Sequence, residues 1–150
     1  MQTKILMVCL GNICRSPLAE GILKSKVNSE LIFVDSAGTG HWHIGNSPDK
    51  RSIEVGLNHG IDIRSQRGRQ FSANDFDNFD IIFAMDISNK ENILSLARNK
   101  NDINKVRLIL DEIFPDENVD VPDPYYGGAL GFEKVFEMLN EACNSLANRI

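Results

Sequence analysis

The run Ile5-Leu6-Met7-Val8-Cys9-Leu10 constrains this chain most, because it is apolar without the polar and apolar alternation of a strand that has one wet face. A strand over residues 4–8 that is apolar on both sides needs cover on both sides. That predicts a parallel sheet sandwiched between helices. The residues after the run agree. Pro17 suits a first helical turn, where its missing N–H costs nothing, and Leu18, Ala19, Ile22, Leu23 and Val27 then recur at helical spacing.

The same alternation continues. Further strands are predicted over 31–34, 80–85 and 105–110. One helix is capped by Ser47-Pro48-Asp49 and closed by Gly60, and another spans 88–98 with Ile93, Leu94 and Ala97 inward. In the last helix Phe132, Val135, Phe136, Leu139, Cys143, Leu146 and Ile150 mark one face. The predicted fold is α/β: a single three-layer domain over 1–150, with a four-stranded parallel sheet, helices on both faces, and a phosphate-binding loop after the first strand. A chain of 150 residues is long enough to bury such a core without staples.

Three cysteines, an odd number with no secretory signal or membrane span, point to a reducing, cytoplasmic setting in which the thiols are free for chemistry. A net charge of -5 argues against nucleic acid as a partner, since Arg64, Arg67 and Arg69 make only a short basic patch. His41, His43 and His59 show no metal-ligand spacing with the cysteines. Neither metal nor cofactor is expected.

In parallel sheets ligands sit beyond the carboxyl ends of the strands, and Cys9 lies at such an end. It opens the stretch Cys9-Leu10-Gly11-Asn12-Ile13-Cys14-Arg15-Ser16-Pro17. The loop N–H groups of Leu10 to Arg15 can curl around one oxyanion, with Gly11 expected to adopt the unusual backbone geometry and the helix adding its positive end. Arg15 supplies a planar fork for two oxygens, and these surroundings favour the thiolate of Cys9. Ser16 can donate to that thiolate and Asn12 can pin the loop from inside. No Gly-Lys-Ser/Thr follows the strand, which argues against a nucleoside triphosphate.

Cleaving an ester by thiolate attack leaves an alkoxide that needs a proton. The stretch 111–128 shows no obvious helix or strand, and a loop of that length is more often functional than idle. Within it Asp123-Pro124-Tyr125-Tyr126-Gly127 offers a carboxylate, a stiff proline and two rings. Asp123 is the chosen general acid, then general base for water; Asp111, Asp116 and Asp120 remain open as alternatives. Tyr125 and Tyr126 either flank a planar substrate or cover an edge of the core.

These motifs, with Asp-Ser-Ala-Gly-Thr at 35–39 and Ile-Gly-Asn-Ser-Pro-Asp at 44–49, resemble in order and over nearly the whole chain the low-molecular-weight protein tyrosine phosphatases. The resemblance implies a metal-free reaction through a cysteinyl-phosphate, with Cys9, Arg15 and Asp123 in the roles above. It implies that Ser36 bonds Asn12 to hold the loop, and that Trp42, Tyr125 and Tyr126 line the rim. It makes Cys14 a redox partner of Cys9, and Arg69 and Asp86 supports of the site or ordinary surface and capping residues. The partners implied are a phosphotyrosine protein or peptide, with inorganic phosphate as product, and the chain is expected to be a monomer or weak dimer that binds no membrane.

Three other readings compete. An arsenate reductase of this fold needs relay cysteines that residues 81–86 lack. In a phosphoarginine phosphatase, threonine stands where this chain has Ile13, whose apolar side chain suits an aromatic ring. A non-enzymatic phosphate-binding module would need the loop but neither Cys9 as nucleophile nor Asp123.

Overall fold

The structure, a computed structural model, describes residues 2–125 and 129–150. Four strands, β1 (Thr3–Cys9), β2 (Ile32–Gly38), β3 (Ile81–Ala84) and β4 (Val106–Leu108), pair in parallel in the order β2-β1-β3-β4. β1 lies inside the sheet, and its side chains alternate across it. Ile5, Met7 and Cys9 join one buried cluster while Leu6 and Val8 join another, so the unbroken apolar run is explained by two water-excluding layers. Each such side chain contributes roughly 1.5–3 kcal/mol on burial.

The first cluster is covered by α1 (Arg15–Lys24), α2 (Lys50–Asn58) and α6 (Ala129–Arg149), through Leu18, Ile22, Val55, Phe132 and Leu139. On the opposite face α3 (Asp75–Asn78) and α4 (Ile87–Leu94) bring Phe76 and Ile93 against Val8 and Ile82. α5 (Lys100–Lys105) leads directly into β4. The chain turns one way from β1 to β2 and the other way to β3 and β4. The strand order therefore reverses beside the carboxyl end of β1, where a ligand crevice is expected.

Several predicted bounds change. β2 runs on to Gly38 because Asp35 and Ser36, polar residues that hide a strand pattern, are partnered by Arg69 and by Asn12 and Glu20. β4 is only three residues long, since Ile109 and Leu110 leave the sheet in a 3-10 turn and bury themselves in the first cluster. α4 starts at 87, capped by Asp86, and ends before the predicted 98; Asn99 caps α5 instead. The short α3 and α5 carry too little periodicity to be read from sequence. Ile150, expected inward, lies beyond α6 and is exposed.

Candidate active site

Cys9 closes β1 in register with Gly38 of β2. A Cβ at Gly38 would stand 2.8 Å from the Leu10 carbonyl oxygen and 3.0 Å from the Asn12 nitrogen, so the absence of a side chain there lets the loop fold over the strand end. The carbonyls of Cys9, Leu10 and Ile13 accept from Thr39, Gly40 and Asp49. With these turned outward, the N–H groups of Gly11, Ile13, Cys14 and Arg15 have no acceptor among the described residues. The Asn12 N–H donates to Cys9 Sγ at 3.3 Å. The donors of Gly11, Ile13, Cys14 and Arg15 belong to residues that line one cavity with Cys9.

The left-handed residue of the loop is Asn12, with φ 56°, not Gly11 as expected. Asparagine tolerates this region better than other side chains, and here its side chain holds it there. Nδ2 donates to Ser16 Oγ at 2.8 Å and Ser36 Oγ at 3.0 Å, while Oδ1 accepts from the Arg69 N–H at 3.0 Å. Gly11 serves space instead, because a Cβ there would meet the His43 ring at 3.1 Å. The Ser36 hydroxyl in turn donates to Glu20 Oε1 at 2.6 Å. Ser16, already accepting from Asn12, has one hydrogen left to give; Cys9 Sγ is 3.0 Å away and the Ala37 carbonyl 3.4 Å. The nearer position favours a bond to the sulfur.

Arg15 opens α1 and is 3% exposed. Its Nη1 spends both hydrogens, on Asp86 Oδ2 at 2.6 Å and on the Val121 carbonyl at 2.9 Å. Burial opposes its charge, but Cys9, Asp86 and Asp123 together raise its pKa above the ordinary arginine value. Nε and Nη2 remain for the cavity, with Asp123 Oδ2 3.7 Å from Nη2. One edge of the guanidinium is locked and the other is presented.

Asp123 is 40% exposed on its side chain, and its Oδ1 accepts the Tyr125 N–H at 3.0 Å. The segment before it is tied to the sheet where the Val121 N–H donates to Met85 at 2.8 Å and the Ile87 N–H to Asp120 Oδ1 at 2.9 Å. Asp120 is thereby committed to α4, and burial pushes the Asp111 carboxyl up from its usual range. Only Asp123, of the four candidate acids, lines the cavity with Cys9 and Arg15.

That cavity has a volume of about 300 Å³. Leu10, Gly11, Ile13 and Cys14 form its floor with Cys9 and Arg15, and Trp42, His43 and Tyr125 stand around it. Trp42 is 62% exposed and stacks on His41; the Arg51 guanidinium lies 5.4 Å from the Tyr125 ring centre. Asn12, Ser16 and Ser36 stand behind the loop, and Tyr126 lies outside the described residues. Burial, reinforced by Asp49 and Cys9, pushes the Cys14 thiol up to about 12, and burial does the same to Cys143 in the core. Among the described residues, no group of three or more His, Cys, Asp or Glu is placed to hold a metal ion, and no helix is long and apolar enough to cross a membrane.

Sequence reading misses His43 and Glu20. His43 has no motif of its own. Glu20 has a signal, since it stands one helical turn after Ser16 and one before Lys24, which pairs with it at 2.6 Å. Asp86 does both things left open for it, capping α4 at 2.7 Å with Oδ1 while Oδ2 holds Arg15.

The family model for low molecular weight phosphotyrosine protein phosphatase matches residues 4–150. The chain is 43% identical over 146 residues to the low molecular weight protein-tyrosine-phosphatase YfkJ of Bacillus subtilis, covering 95% of this chain and 92% of that one. It superposes with TM-score 0.92 on a protein tyrosine phosphatase from Entamoeba histolytica, at 38% identity, covering 99% of this chain and 96% of that one. With Vibrio vulnificus Wzb in complex with benzylphosphonate the TM-score is 0.89 at 27% identity, covering 100% of both chains.

Proposed function

The chain belongs to the low molecular weight phosphotyrosine protein phosphatase family, cysteine-dependent protein-tyrosine-phosphatases, and from that premise we propose that Cys9, Arg15 and Asp123 carry the reaction. The observation behind it is one cavity whose floor bears a thiol beside N–H donors and an arginine edge, with a carboxyl at its mouth.

The Cys9 thiolate attacks the phosphorus in line as the P–O bond to the tyrosine breaks. Asp123, entering as the acid, gives its proton to the departing phenolic oxygen. Three equatorial oxygens are met by the loop N–H groups and by Nε and Nη2 of Arg15, which need no reorganisation because Asp86 and Val121 already hold the guanidinium. The product is a cysteinyl-phosphate. Asp123, now a carboxylate, takes a proton from water as that water attacks phosphorus, and inorganic phosphate leaves. Sγ departs as thiolate and receives the Ser16 hydrogen bond.

Ile13, Trp42 and Tyr125 give the cavity apolar surfaces that suit an aryl ester, and the benzylphosphonate complex of Vibrio vulnificus Wzb has that shape of ligand. Phosphotyrosine proteins or peptides are the proposed substrates, and a reducing compartment the proposed setting. The protein is expected to hydrolyse p-nitrophenyl phosphate in the presence of a metal chelator, and Cys9→Ser to show no turnover. Retained turnover in that variant would overturn the thiolate mechanism. Cys14 is the proposed redox partner. Hydrogen peroxide would convert Cys9 to a sulfenic acid, and Cys14 would displace its hydroxyl as water to close a disulfide; peptide mapping after peroxide checks for that link.

A further inference from the structure

A second cavity of about 350 Å³ lies beside the first and shares two walls with it, Leu10 and Trp42. Of its other residues, the active site uses only Thr39 and Gly40, whose N–H groups brace the loop. Gln70, Asn92, Ser95 and Leu96 line it, all exposed, and none of its lining residues is charged. At its base the Thr39 hydroxyl is buried without a partner among the described residues.

One wall of this groove is anchored to the sheet. The Gly38 N–H donates to the Arg69 carbonyl at 2.8 Å and the Phe71 N–H to the Gly38 carbonyl at 2.7 Å, so residues 69–71 extend β2 by a parallel bridge. In that geometry the N–H and C=O of Gln70 point away from β2 and from the catalytic loop, so Gln70 serves the groove through its side chain. Gln70 also directs its side-chain Nε2 to the Thr39 carbonyl at 3.3 Å, which leaves its amide oxygen as an acceptor.

We propose that this groove is a specificity subsite for the substrate's own polypeptide, holding residues that flank the phosphotyrosine through the Gln70 amide oxygen and the Asn92 and Ser95 side chains. The proposal rests on the tyrosine phosphatase reading of the neighbouring cavity. With that ring between Trp42 and Tyr125, a chain crossing Leu10 reaches the groove within a few residues, at roughly 3.3–3.6 Å each. Hydrogen bonds from the peptide main chain to these side chains supply affinity, and the neutral lining selects an uncharged side chain. A lone aryl phosphate reaches none of this, so the groove separates protein substrates from small esters.

The test compares p-nitrophenyl phosphate with phosphotyrosine peptides carrying four residues on each side. Asn92→Trp in α4 and Ser95→Trp just after it, at exposed positions away from the reacting atoms, fill the groove. Both are expected to keep wild-type kcat/KM on p-nitrophenyl phosphate and to lose about tenfold on the peptides, the equivalent of one or two lost main-chain bonds. N-methylation of one flanking peptide nitrogen should cost the wild type a similar factor and the filled variants nothing further. Peptide kinetics equal in wild type and both filled variants, with p-nitrophenyl phosphate turned over normally, would overturn the groove alone. A wild type that hydrolyses neither substrate would overturn the phosphatase reading and the groove with it.

Discussion

The loop of residues 9–16 and the segment carrying Asp123 face each other across one cavity, yet they are held in different ways. The loop is buried and carries much of its own wiring: Asn12, Ser16 and Cys9 bond one another within eight consecutive residues, and Ser36 and Glu20 extend the network behind them. The acid segment shows little wiring of its own among the described residues, the Tyr125 N–H donating to Asp123 Oδ1. It is fastened at Val121 to Met85, at Asp120 to Ile87 and at the Val121 carbonyl to Arg15, each partner more than thirty residues away. Charge stabilisation needs donors already in place when the phosphoryl group transfers. A proton donor that serves two successive steps tolerates a segment pinned at a few points.

That contrast can be broken most severely at Arg15. Arg15→Lys keeps the charge but cannot hold Asp86 and Val121 on one edge while offering two oxygens the other. We expect kcat to fall by about 10²–10³-fold, in the range for loss of one oxyanion donor. Equal steady-state kinetics in wild type and variant would show that the fork is not needed. Asp123→Ala comes next and should act unevenly: roughly 10²-fold or more on an unactivated phenyl ester and little on p-nitrophenyl phosphate, whose leaving group needs no proton. Equal losses on both would remove Asp123 from the acid role.

The rigidity of the loop is tested by Asn12→Ala. It removes three hydrogen bonds and leaves alanine in the left-handed region, which should lower stability by about 2–4 kcal/mol in urea unfolding. An unchanged midpoint would mean that the loop does not depend on its internal network. The smallest effect is expected from Asp120→Ala, which frees the Ile87 N–H at a partly exposed site and should cost about 1 kcal/mol. Because it loosens only the acid segment, turnover of the phenyl ester should fall a few-fold more than that of p-nitrophenyl phosphate. A uniform fall would place Asp120 in the loop's support instead.

The two regions also differ in how far the sequence reveals them. Cys9, Gly11, Asn12, Arg15 and Ser16 stand within eight residues, so their spacing alone puts them on one strand-loop-helix turn. Yet spacing does not show which of them takes the left-handed turn. Glycine is the safe expectation, and only the partners at Ser36 and Arg69, brought in from β2 and beyond, make Asn12 the one that turns. Asp123 stands out from four acids by its neighbours in the chain, whereas its separation from Asp111 and Asp120 comes from burial of the one and the α4 contact of the other. His43 and the Asp86 grip on Arg15 have no spacing to betray them.

Local sequence thus determined what depends on near neighbours: an inner strand apolar on both faces, a helix beginning beside Arg15, a thiol at the strand end, and the amphipathic face of the last helix. Tertiary structure decided where the sheet stops, why Ile109 and Leu110 leave it, which edge of Arg15 is free, and that a second groove opens beside the cavity. The physical reason is range. Periodicity and capping act over one turn or one strand, while the bonds that select among equivalent carboxylates join residues whose nearness exists only after the layers have packed.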